Sequence, residues 1–182
     1  TYCGYFEVSD PDGRRVAGSP SLEAVVASLQ AAAAKLTDPA APVVGWGFDP
    51  IYFGARRCSR HDLDGVSTTR PVGLMHASGH ILNVNSAALE SAGLLRTGID
   101  HPGIPLGTDG LPTGELKGPE AMGHLLNIVG LNRAFLSGDE FSIRAFGRLA
   151  VRAGVTTATD LASGLGDAEL DNMLQVTADE AY

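Results

Sequence analysis

With 182 residues, 44% of them apolar and 19% charged, the chain can build a sizeable core, which excludes a disordered class. A net charge of -8 and a scatter of 13 basic residues, with only Arg14-Arg15 and Arg56-Arg57 adjacent, argue against a nucleic-acid partner. No apolar run approaches the roughly 20 residues of a membrane span, so no membrane partner is expected.

The helical signal opens at Ser19. Pro20 suits a first turn, and Leu22, Val25, Val26, Leu29, Ala33 and Leu36 recur at steps of three and four until Asp38-Pro39. Val43 to Phe48 is a short apolar run that ends in Asp49-Pro50, which predicts a buried strand emptying into a loop, with Trp46 in the core. A short helix follows Ser59 and carries Leu63 and Val66. Pro71 to Met75 predicts a second strand, from which His76 to His80 leaves as a loop. Asn85 is placed to cap a helix over Ser86 to Ala92, and Gly93 to end it. Glycines and prolines around Asp109-Gly110 predict a hairpin or ordered loop between Gly103 and Glu115.

Pro119 then opens a helix with Met122, Leu125, Leu126 and Val129 on one face. Ser137 and Glu140 form a capping box for a helix bearing Phe141, Ile143, Phe146, Leu149 and Ala150. Gly154 stops it, Val155 to Asp160 reads as a strand, and Asp167 to Ala178 as a last helix burying Leu170, Met173 and Leu174. Alternating strands and helices favour parallel pairing and an α/β class, and residues 1–182 read as a single α/β domain without repeats. Cys3 and Cys58 lie in no CxxC or Cys/His spacing and read as reduced thiols of a cytoplasmic protein, with a single disulfide left open. A start at Thr1 without methionine, and an end at Tyr182 just past a helical pattern, point to a segment of something longer.

In α/β folds, functional groups gather where strands end. Three predicted strand ends qualify: Asp49, the pair His76 and His80, and Asp160. His76 and His80 have the four-residue spacing of a helical zinc pair, but Ser78-Gly79 intervenes, so they read as loop histidines that line a pocket. His80, Glu115 and Asp160 are the candidates for acid or base work, because small or apolar flanks can desolvate a carboxylate. The bland alternative for each carboxylate is a helix cap or an arginine pair. Trp46, Asp49, His76 and Asn85 are the candidates for substrate contact, with Asp49 also a turn former and Asn83 and Asn85 also partners for loop backbone. No Gly-x-Ser-x-Gly elbow and no phosphate loop is present, since Gly45-Trp46-Gly47 lacks the rest of a nucleotide fingerprint.

Arg70-Pro-Val-Gly-Leu-Met-His-Ala-Ser-Gly-His80, continuing through Asn83-Val-Asn-Ser-Ala-Ala-Leu89 to Ala92-Gly93, resembles a passage of one amidohydrolase branch, that of the N-substituted formamide deformylases. Gly45-Trp-Gly-Phe-Asp49, Leu63-Asp64, Asp109-Gly-Leu-Pro-Thr-Gly-Glu115 and Gly154-Val-Thr-Thr-Ala-Thr-Asp160 follow in the branch's order. Together these pieces span about two thirds of the chain.

The resemblance implies a parent enzyme with a metal-bearing (β/α)8 barrel that hydrolyses amide or other C–N bonds of a small-molecule substrate with a metal-activated water, zinc being the expected metal. It also implies that His80 faces the metal centre. The branch's His-x-His ligand pair does not occur in this sequence. The expectation is therefore a segment of the barrel with its inserted α/β subdomain, holding no metal ligand and inactive alone. The alternative is a non-catalytic binding or regulatory module of the same fold. Apolar surface that a barrel would cover offers such a segment a route to homo-oligomers.

Overall fold

The computed structural model describes residues 1–54, 56–131, 140–159 and 165–178. The chain, read from its sequence as one domain, clusters into two compact units: Thr1–Glu7 with Ala17–Leu131, and Val8–Val16 with Asn132–Tyr182.

In the smaller unit, β1 (Val8–Ser9) and β2 (Arg15–Val16) form an antiparallel hairpin. Asp10 shapes its turn by accepting from the amides of Asp12 and Arg14. Two helices follow, separated in sequence: one spans Glu140–Arg152, the other Asp167–Thr177. Both expected helices are present, but Leu170 and Leu174 are 45% and 59% exposed, so the expected burial of this pair is corrected. Val176 is the residue of that helix that is buried. The strand expected from Val155 is also corrected. Residues 155–159 are exposed and take no strand conformation, while Asp160, like Ser137 of the expected capping box, lies outside the described residues.

The larger unit is built on a four-stranded sheet. In chain order its elements are α1 (Leu22–Ala33), β3 (Val43–Phe48), a 3-10 turn (Pro50–Phe53), α2 (Arg60–Asp64), β4 (Val72–His76), β5 (Ile81–Val84), α3 (Ser86–Ser91), β6 (Glu115–Lys117) and α4 (Gly118–Ile128). The strands lie in the order β3-β4-β5-β6. β3 and β4 are parallel, joined through α2, but β4–β5 and β5–β6 are antiparallel. The α/β class holds, and the expectation of parallel pairing is corrected to a mixed sheet. The reason is local: the loop at His76–His80 is the tight turn of a hairpin, closed by the Gly79 amide on the His76 carbonyl, and it returns the chain as β5.

Strand periodicity distributes the core. Val43 joins Leu22, Val25, Leu29, Leu63 and Leu74 in one buried cluster, while its neighbour Val44 packs against a second made of Leu82, Val84, Leu89, Leu116 and Leu125. Each such leucine contributes about 1.5–3 kcal/mol through removal of apolar surface from water. Trp46 departs from the expected core position: it is 55% exposed and meets only the edge of the Tyr2 ring at 5.1 Å among the aromatic contacts.

Helix ends are chemically explicit. Ser21 caps α1 by accepting from the Ala24 amide at 3.2 Å, and Ser59 and Asp62 form a reciprocal capping box at α2. Asn85 caps α3, and its Oδ1 also accepts from the Val72 amide. Between Gly103 and Glu115, the Leu106–Pro112 bridge and the Gly107 amide on the Leu111 carbonyl form the expected hairpin. Among the described residues no helix is long and apolar enough to cross a membrane.

Candidate functional site

The ends of β3 and β4 lie side by side, and a glycine brings their side chains into line. Gly47, at φ 90°, occupies a bulge at which the register steps from Trp46 opposite Met75 to Phe48 opposite His76. Phe48 then places its ring edge-on to His76 at 5.2 Å. The next residue, Asp49, starts the 3-10 turn by accepting from the Ile51 amide at 3.1 Å. A cleft of about 370 Å³ opens here, lined by Asp49, Pro50, Ile51, Arg57, His76, Ser78 and Ile81.

A buried polar row lies beside it. Leu74 pairs with Asn83, and Asn83 with Glu115, across adjacent strands, while His76 lies two residues beyond Leu74 and so shares their face. His76, Asn83 and Glu115 are all buried. Asn83 donates from Nδ2 to the Cys58 carbonyl at 2.7 Å, which orients its amide and leaves Oδ1 for His76 Nε2 at 2.6 Å. Glu115 accepts from Arg57 through Nε at 2.6 Å and Nη2 at 2.5 Å, both on Oε2, and Lys117 Nζ lies 3.2 Å from Oε1. The buried carboxylate is thus held between two cations, the arrangement that offsets its desolvation.

Burial holds the His76 imidazole below the usual histidine range, and the Arg57 cation adds to that effect. The Asn83 hydrogen bond and the carboxylates of Glu115 and Asp49 act in the opposite direction without reversing it. A histidine depressed in the folded state contributes stability that is present above its unfolded value and lost as pH falls through its folded value. Folding stability of the wild type is therefore expected to decline below about pH 6.5. A His76→Gln variant should show a shallower decline in urea midpoints taken from pH 7.5 to 5; equal slopes would contradict the assignment.

Of the residues proposed from sequence, Asp49, His76 and Glu115 come together, with Arg57 between the cleft and the Glu115 carboxylate. His80 is exposed in the β4–β5 turn, its amide bound to Ser78 Oγ at 3.3 Å and its carbonyl accepting from Gly118. Trp46 and His80 do not line the cleft. Asn85 is wholly buried with its side chain committed to four backbone groups. Sequence reasoning missed Arg57, and named Asn83 only as a partner for backbone, which its bond to the Cys58 carbonyl is, and not as a partner for His76. The available signal for Arg57 was Glu115 itself, since a carboxylate among apolar neighbours needs a cation.

Elsewhere, Arg60, buried, reaches Asp109 at 2.6 Å and the Pro112 carbonyl at 3.1 Å, tying α2 to the hairpin. The Leu111 amide and Arg60 hold the Asp109 carboxyl below its usual range. Both cysteines are free and buried; desolvation pushes the Cys3 thiol up to about 11 and the Cys58 thiol higher still. Neither has the character of a nucleophile.

A divalent metal, implied by the resemblance, does not fit the residues at this cleft. Both Glu115 oxygens are taken by cations, and the Arg57 guanidinium lines the space a second cation would enter. No group of three or more His, Cys, Asp or Glu side chains suited to a metal occurs among the described residues.

Two solved structures are similar over part of their length. One is an uncharacterized metal-dependent hydrolase from Pyrococcus horikoshii OT3, at 16% identity and a TM-score of 0.44 over 76% of this chain and 25% of that one. The other is an uncharacterized metal-dependent hydrolase from Pyrococcus furiosus, at 19% identity and a TM-score of 0.44 over 75% of this chain and 30% of that one. The chain thus spans less than a third of the length of either. No match is found among curated proteins. The profile of the Amidohydrolase family matches residues 9–182, nearly the whole sequence, and the chain belongs to that family.

Proposed function

We propose that this chain forms a substrate-recognition part of a cytoplasmic metal-dependent amidohydrolase that cleaves amide or other C–N bonds in a small molecule, and that the chain alone is inactive. The observation that carries this reading is the cleft at the ends of β3 and β4. It gathers a carboxylate, a guanidinium and a histidine from separate segments, as a recognition site requires. Family membership over residues 9–182 supplies the reaction class.

In this reading a divalent metal, with zinc as the first choice, is bound by residues other than those described here, and supplies an activated water when bound. Arg57 donates to a polar group of the substrate, Asp49 and His76 accept from it, and Pro50, Ile51 and Ile81 exclude water from their contact. Glu115 is a positioning residue, since its carboxylate fixes the Arg57 guanidinium. The exposed apolar side chains Phe141, Phe146 and Val151 of the smaller unit are consistent with further protein surface packing there, whether the parent enzyme or a second copy.

The test compares the 182-residue chain with the natural full-length protein, each incubated with zinc, by elemental analysis and by hydrolysis of N-acyl and N-formyl amines. The expected result is metal well below one equivalent and no turnover for the chain, against metal-dependent turnover for the full-length protein. Stoichiometric metal and turnover in the chain alone would overturn the reading. In the full-length protein, Arg57→Ala is expected to raise KM about tenfold, the effect of losing one charge-assisted hydrogen bond; an unchanged KM would remove Arg57 from substrate contact.

A further inference from the structure

The hydrogen bonding of His76 carries one step beyond that reading, and rests on it. The Asn83 amide cannot turn over without losing its 2.7 Å bond to the Cys58 carbonyl, so its Oδ1 is fixed against His76 Nε2. An oxygen there requires the proton on Nε2, and in the neutral ring this leaves a lone pair on Nδ1. Nδ1 has no partner among the described residues. It is also not among the fully buried atoms left without a partner, which are Arg70 Nη1 and Arg148 Nε. His76 is among the residues that line the cleft, and Nδ1 is the ring nitrogen that Asn83 leaves unengaged. Arg57 in the same wall uses Nε and Nη2 on Glu115 and keeps Nη1 outside that pair.

We infer that His76 Nδ1 accepts a hydrogen bond from a substrate N–H, and that Asn83 is the positioning residue that keeps this nitrogen unprotonated. With Arg57 as the facing donor, the cleft selects groups that offer both a carbonyl oxygen and an N–H, such as secondary amides and ureido groups. It discriminates against tertiary amides, which lack the N–H. The charged groups around the ring are Asp49, Arg57 and Glu115, with Lys117 beyond Glu115. Burial favours the neutral imidazole that this role requires.

The experiment uses the natural full-length protein, zinc-loaded, with an N-alkyl formamide and its N-methyl counterpart as a matched pair. Wild type is expected to prefer the secondary amide by about tenfold in kcat/KM, mostly through KM, as a site built to bond an N–H does. In His76→Leu the ratio should fall towards one, and in Asn83→Ala it should fall part of the way. Nitrogen-15 NMR of wild type should report His76 as the Nε2–H tautomer, with Asn83→Ala giving a mixture. Adding the secondary amide should move the Nδ1 resonance, and adding the N-methyl compound should not, a readout that holds even where a variant fails to fold. Equal rates for the two amides, equal NMR responses, or an Nδ1–H tautomer would overturn the inference. Failure to hydrolyse either amide would overturn the proposed function instead, and the NMR titration would then decide the role of His76 by itself.

Discussion

Replacing Asn85 by alanine is expected to destabilise the larger unit by about 3 kcal/mol, close to the upper range for one polar side chain. The carboxamide is wholly buried and makes four bonds: Oδ1 accepts from Val72 and Ala88 amides at 3.0 Å each, and Nδ2 donates to the carbonyls of Ser67 at 2.8 Å and Arg70 at 3.0 Å. Loss of the helix cap alone costs about 1 kcal/mol. The stranded backbone groups at the start of β4 supply the rest, because that region has little room for water to replace the lost partners. Urea denaturation monitored by tryptophan fluorescence measures the change; a loss under about 1 kcal/mol would mean that solvent reaches these groups after all. Asn85→Asp keeps the cap acceptor but sets a buried carboxylate oxygen against the Ser67 and Arg70 carbonyls, and so should not rescue the loss.

Gly114→Ala is expected to be at least as damaging, about 3 kcal/mol or more, and to weaken the cleft as well. Gly114 has φ 96°, and an added Cβ would lie 2.5 Å from the Val84 carbonyl oxygen and 2.8 Å from the Arg60 amide nitrogen. Both contacts are backbone, so neither can swing aside. Relief requires β5 and β6 to separate where the Val84 amide bonds to the Gly114 carbonyl at 2.8 Å, immediately before Glu115. Gly79→Ala is the control, since Gly79 also has positive φ, 72°, but open space around it. It should cost about 1 kcal/mol, from conformation alone. Similar losses for the two variants would refute the steric argument.

Much of the helical part of this fold is legible in the sequence, because caps and periodicity are local signals. Asn85 before α3, Ser59 before α2 and the Pro119 start of α4 all stand where residue chemistry puts them. β5 is less legible: Ile81 to Val84 is four residues long and has a buried asparagine in it, which breaks the apolar run that marks a strand. Once β5 is missed, the antiparallel half of the sheet is missed with it. Burial of Trp46, Leu170 and Leu174 fails for a different reason, since periodicity says which residues share a face and not whether another surface covers it.

The candidate site divides along the same line. Asp49 and His76 follow from their positions at strand ends, and Glu115 from its apolar flanks. Arg57 depends on a contact across 58 positions of sequence, which no local pattern encodes. Asn83 was legible as a polar residue needing partners, but that one of those partners is His76 follows only from β5 lying antiparallel to β4.

The first three residues bear on how this protein behaves at high concentration. Thr1 to Cys3 run along the outer side of β3, with the Cys3 amide on the Trp46 carbonyl at 2.8 Å and the Trp46 amide on the Thr1 carbonyl at 3.0 Å. They occupy hydrogen-bonding groups that would otherwise stand open on a six-residue apolar strand. Such an edge is a template for the strand of a second molecule, and Val43-Val44 beside it would favour association once begun. The opposite edge, β6, is three residues long and ends in Lys117, too short and too charged to invite the same growth. The Tyr2–Trp46 bridge therefore shields this edge of β3 from strand addition, on the side of the sheet away from β4.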